Sequence, residues 1–141
     1  MENVYVTQNE IKPIEVRLTE NKGFGVFATE DIKANTLIEK CYCIKVDDSY
    51  ENVPFALKDY TFNYPRQNTE GVSTIQVLPL GYGCIYNHSE TPNAKWEDAE
   101  EHMFFNFSTI KDIRKGEEIC TYYGPDYWKQ HKNRNEDEEM V

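Results

Sequence analysis

Residues 81–93 read GYGCIYNHSETPN. They place Asn87, His88 and Ser89 side by side and follow them with Thr91-Pro92-Asn93, in a chain with only three histidines. An imidazole here could serve as a base, a metal ligand or a clamp on a cofactor, and Thr-Pro-Asn is turn chemistry that would hold it in place. Two readings drop out at once. Neighbouring residues cannot form a useful Ser–His nucleophile pair, and no GxSxG elbow exists. Zinc ligation would need partners at metal-site spacing, which the sequence does not supply. A lone histidine is more often structural than catalytic. Asn and His together can also hydrogen-bond a purine edge, with the imidazole packed on the base.

Two further stretches carry chemistry. Lys22-Gly-Phe-Gly-Val-Phe-Ala28 contains GxGxxA. A dinucleotide site would need a helix directly after the glycines, aimed at a pyrophosphate. Here Val26-Phe27 and then Thr29-Glu30-Asp31 follow, so that reading fails on context. What survives is a pair of glycines that lets a backbone approach something closely, or a plain turn. Lys115-Gly-Glu-Glu-Ile-Cys-Thr-Tyr-Tyr-Gly124 sets two tyrosines before a second glycine. A tyrosine can act as proton acceptor, dipole or aromatic wall, or simply fill a core.

Short strands must position these stretches. Ile14–Leu18 alternates apolar and polar residues, and Asn21-Lys-Gly23 is a turn signal ahead of a second run at Gly25–Ala28. Ile32–Thr36 reads as a turn, Leu37–Val46 as a long strand and Asp47–Asn52 as a polar loop. Phe55–Phe62 is aromatic-rich and suits a helical turn or a short strand. Asn63–Ser73 reads as loop, and Thr74–Leu78, Met103–Phe107 and Glu117–Tyr123 as strands. Many short strands with frequent turns predict a mainly β domain. Cys41 and Cys43 fall on one side of their strand and read as buried free thiols.

Bulk properties narrow the partners. The 141 residues suit one domain with a real core, and the 13% aromatic share is dominated by ten tyrosines. A net charge of −10 argues against direct nucleic-acid binding and favours basic partners. None of the four cysteines forms a CxxC pair. Neither a leader nor a membrane-length apolar run is visible, which predicts a soluble protein in a reducing, intracellular compartment. The chain divides into a 1–13 extension or edge strand, a 14–128 domain and a charged 129–141 tail.

Taken in order, GFGVFA, GYGCIYNHSETPN and GEEICTYYG resemble the motifs of SET-domain protein-lysine methyltransferases, across residues 14–128. The compact layout is similar to the small stand-alone viral type that acts on histone H3 and to short bacterial members. CYCIKV, Asp59-Tyr60-Thr61-Phe62 and Tyr123-Gly-Pro-Asp-Tyr-Trp128 carry that likeness. The resemblance implies a mainly β fold of several small twisted sheets around a C-terminal pseudoknot, with few short helices. It implies S-adenosylmethionine as methyl donor, with S-adenosylhomocysteine as product, and no metal. Lys22, Gly23, Phe24 and Gly25 would meet the cofactor's amino-acid end, and Asn87 and His88 its adenine and amino-acid portions. Tyr123 stands at the catalytic tyrosine position and Trp128 would help close the site. Tyr60, Trp96, Thr121 and Tyr127 are the implied substrate-lysine channel, Trp96 on the ground that it lies eight residues after His88.

Certain departures matter. No CxC…C cluster follows Tyr123, so residues 125–128 must close the site. Thr121 stands where the family often has Phe or Tyr, a position that limits methyl number. The implied partner is a basic protein or peptide, with the histone H3 tail foremost, acting in the nucleus or a host nucleus. A homodimer is expected by the same likeness. A ribosomal or other lysine substrate and an inactive binding module are the alternatives. A structural β domain would leave the ordered motifs unexplained.

Overall fold

The computed structural model describes residues 13–66 and 73–123, folded as two sheets. Strand β1 (Ile14–Leu18) pairs antiparallel with β2 (Phe24–Ala28). Gly23 takes φ +74° at the turn between them, and its carbonyl accepts the Thr19 N–H at 2.7 Å. That left-handed backbone is cheap only for glycine, which is why the turn signal sits there. The first sheet continues through β9 (Glu118–Thr121) to β6 (Asn87–His88), in the order β1-β2-β9-β6. The β6–β9 pairing is parallel, Asn87 opposite Cys120 and His88 opposite Thr121.

The second sheet has the order β4-β5-β3-β8-β7. Its strands are β3 (Leu37–Asp47), β4 (Phe62–Tyr64), β5 (Ile75–Pro79), β7 (Ala94–Asp98) and β8 (Phe104–Thr109). Two single-turn 3-10 helices, Tyr50–Asn52 and Phe55–Leu57, bridge β3 to β4, the first capped by the Ser49 hydroxyl. Val26, Ile38, Phe105, Phe107 and Ile119 are among the core side chains the two sheets bury together. Burial on this scale supplies most of the driving force for folding. Phe105 packs on Phe62, Tyr64 and Trp96 with ring centroids 4.9–5.8 Å apart. No helix among the described residues is long and apolar enough to cross a membrane.

The expected strands at 14–18, 25–28, 37–46, 74–78, 103–107 and 117–123 all form, with ends moved by a few residues. Three features differ. Asn63 and Tyr64 extend β4 where loop was expected, because they pair with Gln76 and Ile75. Met103 is not a strand residue: it takes φ +68° in the turn before β8. Strands β6 and β7 were not anticipated. Cys41 and Cys43 are buried and free, as their alternation predicts. Burial pushes the Cys43 thiol up to about 12 and that of Cys120 to about 11, so neither offers a reactive thiolate near neutrality.

Asn93 joins the sheets. Its Nδ2 donates to the Glu118 carbonyl and its Oδ1 accepts the Cys120 N–H, both at 2.8 Å. Its own N–H donates to the Cys120 carbonyl at 3.2 Å, and its carbonyl accepts the Ile110 N–H at 2.9 Å. One side chain thus stands in for a strand along β9. The Thr-Pro-Asn turn delivers it there, with the Thr91 N–H held by the Ser89 hydroxyl at 3.0 Å. Asn93→Ala removes a donor and an acceptor from part-buried backbone partners. It should lower the unfolding free energy by about 2 kcal/mol in urea titration. A change within ~0.5 kcal/mol would mean that β9 is held without it.

Candidate functional site

The three chemical stretches meet at β9. Glu118 opens that strand opposite Phe27 of β2, which brings its carboxylate to the glycine stretch. Its Oε1 accepts Lys22 Nζ at 2.8 Å and its Oε2 accepts Asn87 Nδ2 at 2.7 Å. The same Asn87 amide donates to the Phe24 carbonyl at 3.1 Å. The hydrogen bond to Glu118 raises the Lys22 pKa. The pair is partly exposed, so the ionic part contributes about 1 kcal/mol or less. Its larger effect is positional, since it ties the glycine stretch to β6 and β9.

Gly25 leaves room for two side-chain ends. A Cβ there would lie 2.5 Å from Glu118 Oε2 and 2.9 Å from Asn87 Nδ2. A Cβ on Gly23 would project into open space, leaving that backbone accessible from outside. Phe24 stands between the two glycines and is 61% exposed.

His88 and Tyr123 form the second half. The Tyr123 N–H donates to His88 Nδ1 at 3.0 Å. Nδ1 therefore carries no proton, and the ring proton sits on Nε2, 3.2 Å from Glu90 Oε1. The Tyr123 hydroxyl donates to the Tyr86 carbonyl. Tyrosine 123 is thus gripped at its backbone and at its tip by residues 86 and 88. The His88 ring also packs at 5.2 Å from both Tyr122 and Tyr123. Its polar atoms are used within the protein, so what it can offer a ligand is its ring face and its backbone.

The structure brings Lys22, Gly23, Phe24, Gly25, Asn87, His88, Thr121 and Tyr123 to one region. Thr121 lies opposite His88 in the β6–β9 register, buried, and its Oγ1 has no hydrogen-bond partner among the described residues. Tyr60 is half-exposed, and its carbonyl accepts the Cys84 thiol at 3.4 Å, on the turn that leads to Tyr86. Trp96 belongs to the aromatic core: it meets Phe62 edge-on at 4.8 Å, lies 4.9 Å from Phe105, and carries Arg66 over its ring. Tyr127 and Trp128 lie outside the described residues. The sequence points to Asn93 only as part of the turn after His88, and does not by itself single out Glu118 or Tyr86. The Glu-Glu pair after Gly116 was the available signal for Glu118, since a carboxylate beginning a strand next to a clustered lysine and amide has partners ready.

Comparisons with known proteins agree on one family. A model of the SET domain matches residues 23–124. A Schizosaccharomyces pombe histone-lysine N-methyltransferase specific for H3 lysine-37 is 35% identical over 119 residues, covering 82% of this chain and 76% of that protein. A Cryptococcus neoformans histone-lysine N-methyltransferase specific for H3 lysine-36 is 29% identical over 141 residues, covering 88% of this chain; the chain spans only 16% of that protein. A solved structure of a candidate histone methyltransferase from Plasmodium falciparum superimposes with a TM-score of 0.68 at 32% identity, over 84% of this chain and 99% of that one.

The crowding at Gly25 is testable alone. Gly25→Ala should cost about 1–3 kcal/mol in a denaturant titration, because the added methyl displaces the Asn87–Glu118 hydrogen bond. Adding Gly25→Ala to Glu118→Ala should then cost much less, since the closest obstructing atom is gone. Equal costs in both backgrounds would show that Glu118 is not what Gly25 makes room for.

Proposed function

The chain belongs to the SET-domain family and is a protein-lysine methyltransferase, and we propose that it uses S-adenosylmethionine to methylate a lysine of the histone H3 tail. The observation that carries this reading is the double grip on Tyr123, beside a glycine stretch with open backbone. The named activities of the S. pombe and C. neoformans relatives on histone H3 support the substrate. So does the net charge of −10, which attracts a basic tail. Action on histone H3 would place the protein in the nucleus.

The residues present fit the cofactor. Gly23 offers exposed backbone and Phe24 an exposed side chain, while Gly25 lies buried beneath them and Asn87 and Glu118 hold that stretch in place. Gly23–Gly25 would meet its amino-acid end, and β6 with the exposed Phe24 its adenine. The polar atoms of Asn87 and His88 then serve to build the cradle. When bound, S-adenosylmethionine supplies a methyl group on a cationic sulfur for in-line transfer to an amine. The threaded pseudoknot the family implies would run through the β6–β9 pairing.

Tyr123 does the orienting. Its hydroxyl proton is committed to the Tyr86 carbonyl, so toward a ligand the phenol oxygen would act as an acceptor. As an acceptor it would meet an N–H from the substrate amine and weak C–H contacts from a polarised methyl. The buried Thr121 hydroxyl offers one more polar group nearby. The amine must arrive neutral, and a free lysine has a pKa of about 10.4. Removing the amine from water beside aromatic rings disfavours its charge and lowers that value. Holding it in line supplies the rest as positioning. Thr121 is smaller than an aromatic residue at that position, which favours more than one methyl transfer.

Tyr123→Phe should reduce turnover about a hundredfold, the scale of removing one preorganised polar group, while cofactor affinity changes little. Full activity in that variant would remove Tyr123 from the reaction. The substrate is tested with labelled S-adenosylmethionine on core histones and on a ribosomal protein mixture, read by mass spectrometry. Methyl gain on one lysine of H3, with its methyl count, is the expected result. Labelling of ribosomal proteins alone would overturn the histone assignment. No transfer and no cofactor binding would indicate an inactive binding module.

A further inference from the structure

We infer that Glu39, on β3 of the second sheet, is a positioning residue that sets the orientation of Tyr123 through the side chain of Tyr86. The claim rests on the reading of Tyr123 given above. The Tyr123 hydroxyl ends on the Tyr86 carbonyl, so that peptide must be fixed. Tyr86 precedes β6 and is not itself a strand residue, so sheet pairing does not fix it. Its side chain does. The Tyr86 ring is 1% exposed and stacks on Phe107, centroids 4.7 Å apart and planes 14° from parallel. Its hydroxyl donates to Glu39 Oε1 at 2.8 Å.

A β-bulge in β3 puts that carboxylate there. Leu37 pairs with Ser108, but Glu39 pairs with Phe107, so Ile38 is an extra residue. Strict alternation after the buried Ile38 would turn Glu39 outward. The bulge resets the phase, and Glu39 then shares the inner face with Cys41, Cys43 and Phe107. Bulges that re-aim one side chain recur next to active sites. The second carboxylate oxygen accepts the Tyr82 N–H at 2.8 Å. Gly81 has φ +72°, and a Cβ on it would overlap Glu39 Oε2. The whole 80–85 turn is therefore wound around this carboxylate before the chain reaches Tyr86. Burial, followed by the nearby Glu39 charge, raises the Tyr86 pKa strongly, so its hydroxyl stays a donor across the working range.

Two conservative variants test the chain of contacts. Tyr86→Phe keeps the ring on Phe107 and removes one oxygen. Glu39→Gln keeps the volume and replaces one acceptor oxygen by a donor. Tyrosines labelled with 13C at Cζ would be followed by NMR, with Tyr123→Phe assigning one signal among ten. The expected result is a shifted Tyr123 resonance in each folded variant, with kcat about tenfold lower and KM for an H3 peptide within about twofold. A Tyr123 resonance at its wild-type position in a folded variant would overturn the inference. So would a raised KM with unchanged kcat. If Tyr86→Phe fails to fold, Glu39→Gln decides the matter. If the wild-type protein methylates nothing, the functional reading fails, and the resonance alone decides whether Glu39 positions Tyr123.

Discussion

The parallel contact between β6 and β9 is the constraint on which the site depends. Only two residues of each strand take part, Asn87 with Cys120 and His88 with Thr121. So short a pairing is not stable by itself. It persists because side chains on both flanks reinforce it. Asn93 supplies strand-like hydrogen bonds to Glu118 and Cys120, and the Ser89 N–H adds one to the Thr121 carbonyl at 2.9 Å. Asn87 reaches across to Glu118 and Phe24. Once that contact is made, Tyr123 can sit only where residues 86 and 88 hold it.

The polar groups near the site divide between two tasks. Glu118 is half of an ion pair with Lys22, but its second oxygen fixes Asn87, and Gly25 leaves the room for both. Among the described residues, Glu39 has no ion-pair partner of this kind. It accepts from a phenol and a backbone amide, and it turns inward because the strand bulges. A carboxylate facing a core is costly unless hydrogen-bonded, and two good donors offset much of that cost. One carboxylate therefore anchors the glycine stretch and the other anchors the turn before β6. The two converge on residues 86–88 from opposite sheets.

Much of this was legible in the sequence. The long strand at 37–46, the alternation at 14–18 and the buried Cys41–Cys43 pair follow from period-two patterning. The motifs at 22–28, 87–93 and 115–124 named most of the residues that now meet at β9. What could not be read is non-local. Strand β6 has two residues and no pattern, and exists only because a segment more than thirty positions later lies beside it. The bulge at Ile38 leaves no mark in LIEKC, where Glu39 reads as an outward residue. Strand β7 is a different case: Ala94-Lys-Trp-Glu-Asp98 alternates, and Trp96 faces inward as that pattern requires. The family likeness tied Trp96 to the lysine channel, whereas its contacts in the fold are Phe62, Phe105 and Arg66.

The choice of partners around Tyr123 has a physical consequence. Its hydroxyl could have been held by a carboxylate, which would bind the proton tightly but add a negative charge beside the phenol oxygen. A backbone carbonyl accepts the same hydrogen bond, carries no net charge and does not titrate. The charge that orders the region is placed one residue's length away, on Glu39, and reaches the carbonyl only through the neutral hydroxyl and ring of Tyr86. A substrate amine that must lose its proton to react would be stabilised as a cation by a carboxylate at contact distance. Setting the carboxylate behind a buried tyrosine gives rigidity without that penalty.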